Sequence, residues 1–348
     1  MSGHFLIPGD ITLPTGGYGY DRQVLAAAAR LGAPLSYVAL PDGFPNPDDA
    51  ALAETARIVA SLPARTVLLI DGLAYGAMPE ALIRGFDRPV VELCHHPLAV
   101  EPGLDPQTAR RFAEGERAAM ALARHIIVTG RNTADEVARD FGVPRSQISV
   151  ALPGTERAAR AVGSGQVVPR LIAVGSVIPR KGYDILVAAM ERLRGLDWTL
   201  DIIGATSHAP ETVAALTRKI AAAGLEERIR LAGPMTAAAL DAAYASADLF
   251  VMSSLYEGYG MVIAEAMARG LPIVGTTGGA AAETLDDRAG LKVPPGDALA
   301  LAAAIGTMLT DITFRARCAD GSWLAGQALP SWDDTARQII AILKEHAP

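Results

Sequence analysis

The chain has 348 residues, half of them apolar and a fifth charged, with a formal net charge of −7. That length allows two domains of ordinary size, each with its own core, and the balance is globular and not that of a disordered chain. The acidic surplus argues against a nucleic-acid partner, which wants a basic surface, and no apolar run approaches the ~20 residues of a spanning helix.

The first residues, Met1 to Pro8, lack the charged start and long apolar core of a signal peptide. Cys94 and Cys318 stand in no metal-binding spacing and read as buried free thiols. A cytoplasmic location is expected, with peripheral membrane contact left open.

Apolar runs at 4–7, 35–40, 67–70, 89–93, 126–128 and 148–150 read as strands. Helical patterns separate most of them, at 21–31, 49–61, 79–86, 107–124 and 133–141. Strands that are apolar throughout and alternate with helices predict a parallel sheet covered on both faces. Gly163-Ser164-Gly165 is the best linker candidate, and the pattern then restarts. Strands are expected at 171–174, 200–203, 229–231, 249–251, 273–274 and 291–293, with helices at 183–194, 212–223, 237–245, 263–269, 298–309, 314–325 and 333–345. The fold class is therefore α/β, with two doubly wound parallel-sheet domains.

Four stretches carry candidate chemistry. Gly16-Gly17-Tyr18-Gly19-Tyr20-Asp21-Arg22 follows the first strand, and bare glycine amides at a helix start make an anion site. Cys94-His95-His96-Pro97-Leu98 lies at the carboxyl end of a strand, and its adjacent histidines must point in different directions. In the second half, Gly175-Ser176-Val177-Ile178-Pro179-Arg180-Lys181-Gly182 sets two cations before a helix. The fourth stretch runs from Ser253 to Gly270. In it Glu257 precedes a helix, Glu265 sits inside the helix, and seven residues separate them. Gly258 and Gly260 leave the backbone there bare for close approach to a ligand.

The Glu-x7-Glu spacing within Glu257-Gly258-Tyr259-Gly260-Met261 and Glu265-Ala266-Met267-Ala268-Arg269-Gly270-Leu271-Pro272 closely resembles the signature of GT-B retaining glycosyltransferases of family 4, the group 1 glycosyltransferases. The resemblance covers nearly the whole chain and is strongest from Leu171 to Asp297. It implies an N-terminal acceptor-side domain (1–163), a C-terminal nucleotide-sugar donor domain (164–328) and a final helix (329–348) crossing back to the first, the two domains facing a central cleft.

By that resemblance, Glu257 contacts donor sugar hydroxyls and Glu265 holds the ribose, while Arg180 and Lys181 offset the diphosphate as it gains charge. His96, in a His-x-Leu setting, touches the sugar and fits the family better than His95. Gly16 and Gly17 meet the diphosphate, and Gly175, Gly204, Gly258, Tyr259, Gly260 and Met261 complete the donor site. Tyr18, Tyr20, Asp21 and Arg22 are acceptor-side guesses. Two departures stand out. Ser176 replaces an arginine common after the strand glycine, and one extra residue precedes Glu283 in the Gly-Gly-x-x-Glu segment.

The implied reaction moves a sugar from a UDP- or GDP-sugar to a hydroxyl of a small-molecule, glycan or lipid-linked acceptor, with retention at the anomeric carbon. No cofactor is expected, and the lack of an Asp-x-Asp pair argues against a catalytic metal. The alternatives are other GT-B chemistry, a sugar phosphorylase or a nucleotide-sugar epimerase, and a non-catalytic nucleotide-sugar-binding protein.

Overall fold

A computed structural model describes residues 3–13, 15–101 and 103–348. Met1 and Ser2 of the N-terminal reading, and Pro14 just before the glycine stretch, lie outside the described residues. The chain divides into two compact units, one formed by 1–154 with 330–348 and the other by 155–329.

In the first unit the order is β1 (Gly3–Pro8), α1 (Gly16–Arg30), β2 (Leu35–Leu40), α2 (Asp49–Ser61), β3 (Val67–Asp71), α3 (Gly72–Tyr75), α4 (Glu80–Arg84), β4 (Val90–Cys94), α5 (Pro106–Met120), β5 (His125–Val128), α6 (Arg131–Asp140) and β6 (Ile148–Val150). The strands are parallel in the order β2-β1-β3-β4-β5-β6. The strand order reverses between β1 and β3, so the loops leaving those strands flank a switch point, the place where open α/β sheets hold ligands. Side-chain caps start the helices: Thr15 accepts from the Tyr18 amide at α1, and Asp105 accepts from Gln107 and Thr108 at α5.

The second unit comprises β7 (Arg170–Val174), α7 (Tyr183–Arg192), β8 (Thr199–Ile203), α8 (Pro210–Ala222), β9 (Ile229–Gly233), α9 (Ala237–Ala245), β10 (Leu249–Met252), α10 (Met261–Ala268), β11 (Ile273–Thr276), α11 (Ala281–Thr284), β12 (Gly290–Val293), α12 (Ala298–Thr310) and α13 (Ile312–Gln327). Its parallel sheet runs β12-β11-β10-β7-β8-β9, with the switch between β7 and β10. Alternate residues fill opposite faces. Leu171, Ala173, Leu200 and Val251 join one buried cluster, while Ile172, Ile203, Phe250 and Met252 join another. That double burial is why most positions of the central strands are apolar.

After the second unit, α14 (Trp332–Glu345) packs on α1. A capping box between Ser331 and Asp334 starts it. Thr335 Oγ1 donates to Leu152 O at 2.7 Å, and Gln338 Nε2 donates to Val150 O at 2.6 Å. Gly154 is a glycine because a Cβ there would stand 2.3 Å from the Trp332 backbone.

The unit boundary precedes the expected Gly163-Ser164-Gly165 linker, and the reason is local. Residues 155–163 are already fastened to the second unit, with Arg157 Nη1 on Gln327 O at 2.8 Å and the Ala161 amide on Arg269 O at 2.8 Å. Two one-turn helices, α3 and α11, were not expected. Both cysteines are buried and free, Cys94 closing β4 and Cys318 lying in α13. Among the described residues no single helix is long and apolar enough to cross a membrane.

Candidate functional site

The two switch points gather most of the candidate residues, and each is built within its own unit. In the second unit the loop after β7 ends in a turn over Pro179–Lys181, and left-handed Gly182 (φ 60°) starts α7. The loop after β10 carries Ser253 to Gly260, and Gly260 (φ 88°) caps α10. Ser253 Oγ donates to Lys181 O at 2.8 Å and the Leu255 amide to Arg180 O at 2.8 Å, which binds the two loops together. The Ala280 amide ties in the loop after β11, donating to Glu257 O at 2.8 Å.

Their side chains converge on one carboxylate. Lys181 Nζ lies 2.6 Å from Glu257 Oε1, which also accepts from Ser254 Oγ at 2.6 Å. Arg180 Nη1 reaches Glu257 Oε2 at 3.3 Å and Tyr256 O at 2.9 Å. Burial alone would raise the Glu257 pKa, but Lys181, Arg180 and the hydrogen bonds outweigh it and hold the carboxyl down to about 2. Two cations and one ionised carboxylate leave the group with a net positive charge.

Glu265 is half-buried on α10. Its Oε2 accepts from the buried Tyr244 hydroxyl at 2.9 Å, and burial raises its pKa despite that bond and the nearby Arg269. Arg269 stacks over the Tyr244 ring at 4.7 Å. Tyr259 is 8% exposed, while Gly258 and Met261 are half-buried. Gly175 and Gly204 are required by packing, since a Cβ on Gly204 would stand 2.1 Å from Gly175 O.

In the first unit, Gly16 and Gly17 are the opening residues of α1. The acceptor guesses are corrected in part. Tyr20 is 1% exposed and donates to Ala151 O at 3.0 Å, so it has no surface to offer a ligand. Arg22 turns back to hold the carbonyls of Ile11 and Leu13, and Tyr18 donates to Pro8 O at 2.8 Å. Arg22 and Tyr18 brace the loop after β1, and Tyr20 ties α1 to the end of β6.

The two histidines have different surroundings. His96 Nε2 pairs with Glu101 Oε2 at 2.9 Å, with side-chain exposures of 27% and 38%. His95 lies against Gly17, 3.3 Å from where a Cβ there would stand, and its Nε2 faces Asp21 Oδ1 at 3.2 Å and Asp71 Oδ2 at 3.8 Å. Sequence reading missed Asp71, Ser254 and Tyr244. For Asp71 a signal was present, a carboxylate ending an apolar strand. Donor atoms of Asp21, Asp71 and His95 lie within 4.8 Å of one another, a set that could take a cation.

Residues 168–311 match the family model for glycosyl transferases group 1. The D-inositol 3-phosphate glycosyltransferase of Xylanimonas cellulosilytica is 30% identical over 261 residues, which span 70% of this chain and 62% of that protein. The chain therefore aligns with less than two thirds of that relative's length. Sucrose-phosphate synthase of Thermosynechococcus elongatus superposes with a TM-score of 0.84 at 22% identity, covering 99% of both chains. Anabaena Alr3699/HepE, solved in complex with UDP-glucose, superposes at 0.76 and 17% identity, covering 98% of this chain and 99% of that one. Over residues 168–311 the chain matches the group 1 glycosyltransferases, and as a whole it has the two-domain GT-B fold.

Proposed function

We propose that the protein is a retaining, metal-independent glycosyltransferase that moves a hexose from a nucleotide-diphosphate sugar to an acceptor hydroxyl in the cytoplasm. The observation that carries this reading is the Arg180–Lys181–Glu257 group at the β7/β10 switch point, which keeps a net positive charge beside the glycine-capped start of α10. A diphosphate is the ligand such a group suits. The UDP-glucose bound by the Anabaena structure fits the same reading.

In this mechanism the bond from the anomeric carbon to the β-phosphate oxygen breaks, and the new bond to the acceptor oxygen forms on the same face. The acceptor proton passes to the departing phosphate. Lys181 and Arg180 stabilise the charge that grows on the diphosphate, and the loop fastening that fixes them removes reorganisation from that step. Glu257, ionised and held, accepts hydrogen bonds from sugar hydroxyls, and Glu265 accepts from the ribose. In the first unit, the Gly16 and Gly17 amides at the start of α1 are donors suited to an anion.

Calorimetry with UDP, GDP, ADP and their common sugars, with and without EDTA, tests this. One nucleotide should bind selectively and without regard to EDTA, and Lys181→Ala should abolish the signal. Folded protein that binds none of them would refute the reading. Epimerised donor, or a sugar phosphate formed from free phosphate, would move the protein to another GT-B chemistry.

A further inference from the structure

We propose that His125 and His346 form an acid-sensitive clasp: stacked while neutral, they hold the last turn of α14 on the first unit, and protonation of the pair lets that turn go. The clasp lies wholly within that unit, and its working needs neither donor nor acceptor.

The two rings come from separate elements. His125 opens β5, and His346 closes α14, its amide donating to Ile342 O at 3.2 Å. The rings stack with centroids 4.9 Å apart and an interplanar angle of 28°. His125 is 8% exposed, and its Nε2 lies 2.8 Å from Ser149 Oγ on β6. On the other side of β5, Val91 of β4 stands in register with His125. His346 is half-buried. Leu343, buried in the same turn, supplies the apolar part of the grip beside Gly3, where a Cβ would stand 3.9 Å from Leu343 Cδ1. The start of α14 is held by other means, the capping box at Ser331 and the bonds from Thr335 to Leu152 O and from Gln338 to Val150 O. The helix is thus fastened at one end by hydrogen bonds to backbone carbonyls and at the other by an imidazole pair.

One proton on such a pair leaves a cation against a neutral ring. Two protons put like charges in contact, partly withdrawn from water. Burial works against a proton on His125 and His346 adds to it, while Glu345 at the same helix end works the other way; together they lower the His125 pKa from its ordinary 6.5. Ser149 and Val91 carry no charge, and the flanking Arg124 and Lys344 are exposed. When the helix end lifts away, His125 is freed of both burial and His346, and its pKa returns toward 6.5. The lifted state therefore binds more protons. The closed clasp is at full strength above about pH 6.5 and weakens as pH falls through that value toward the lower folded one. At the other end Asp334 is held below the ordinary carboxylate range, first by its hydrogen bonds with Ser331, so the capping box outlasts the clasp on acidification. Opening is confined to the last turn.

Hydrogen exchange followed by NMR on the full chain tests this, each rate being divided by the intrinsic rate of its amide at that pH. From about pH 7 to about pH 5, protection of the Leu343 and His346 amides should fall at least about tenfold, while that of Ile339 should change less than about twofold. Titration of the imidazole resonances should put the His125 midpoint below 6.5. The double variant His125→Phe, His346→Phe keeps a ring stack without charge, and its last turn should stay protected across the range. His346→Phe alone should raise the His125 midpoint and cut the loss of protection to less than about threefold. If the double variant does not fold, His346→Phe, at a half-buried site, carries the test. A His125 midpoint at or above 6.5, an undiminished loss of protection in these variants, or a loss spread evenly along α14 would overturn the proposal.

Discussion

Lys181 Nζ and Glu257 Oε1 lie 2.6 Å apart, with side-chain exposures of only 13% and 8%. Removing one partner leaves the other's charge buried and less compensated, which costs roughly 3–5 kcal/mol for a fully buried pair. Here Arg180 and Ser254 remain on Glu257, so Lys181→Met should cost about 3 kcal/mol in urea unfolding. The double variant Lys181→Met, Glu257→Gln should recover most of that stability without recovering nucleotide binding. If the double variant binds nucleotide as the wild type does, the pair is structural and the donor reading loses its main support.

Glu257 also predicts an acid limit. Its carboxyl titrates at about 2 in the fold, against an ordinary 4.5. A depressed carboxylate stabilises the folded state above its ordinary pKa and loses that stability as pH falls toward the folded value. The contribution is about 3 kcal/mol at neutral pH, gone by about pH 2. Glu265 acts with the opposite sign, because burial raises its pKa. The clean measurement is therefore the stability gap between wild type and Glu257→Gln, which should close between about pH 4.5 and 2. A gap independent of pH across that window would show that the carboxylate's charge is not what Lys181 and Arg180 stabilise.

How much of this was legible in the sequence depended on distance along the chain. Arg180, Lys181 and Glu257 could be read because each follows an apolar strand and stands beside glycines, and strand ends at a switch point converge by topology. The central strands were legible because both sheet faces are buried there and most positions are apolar, whereas most positions of the edge strands β2 and β9 are exposed or half-buried. The Asp21–His95 contact spans 74 residues, and only the lateral order β1-β3-β4 creates it. No local spacing announces that order, and His96 was favoured for its His-x-Leu setting alone. The settings of Tyr20 and Arg22 were hidden for a different reason. A glycine-rich helix start shows no apolar stripe, so the sequence could not say that one turns into the core and the other back to Ile11 and Leu13.

Gly204→Ala isolates the packing beneath the donor site. Its Cβ would stand 2.1 Å from Gly175 O and 2.8 Å from the Ser176 amide nitrogen, both backbone atoms that cannot rotate away. The ends of β7 and β8 must part, at a cost of about 1–3 kcal/mol or more. Gly175 precedes the Arg180–Lys181 turn, so nucleotide affinity should fall along with stability. Gly224→Ala, at a glycine with nothing within 4 Å, is the control. It keeps left-handed backbone strain (φ 63°) but no clash, and should lower stability modestly while leaving affinity alone. Equal affinity losses in the two variants would dissociate the Gly175–Gly204 contact from the site.

Glu265 allows its structural and ligand-binding roles to be separated. Its Oε2 accepts from the Tyr244 hydroxyl at 2.9 Å, and Tyr244 is 0% exposed. Glu265→Ala strands that hydroxyl and should cost about 1–3 kcal/mol. Glu265→Gln keeps an amide oxygen as acceptor for Tyr244, so its stability should stay within about 1 kcal/mol of wild type. A ribose hydroxyl, by contrast, loses a charged acceptor in the Gln variant, and a charge-assisted bond is roughly twice as strong as a neutral one. Nucleotide affinity should then fall about tenfold, which corresponds to about 1.4 kcal/mol. Inorganic diphosphate, which has no ribose, should bind both proteins alike. Calorimetry with the nucleotide and with diphosphate on wild type and Glu265→Gln gives the answer. Equal nucleotide affinity in the two would assign Glu265 to holding Tyr244 and α9 in place, and the ribose would need another acceptor.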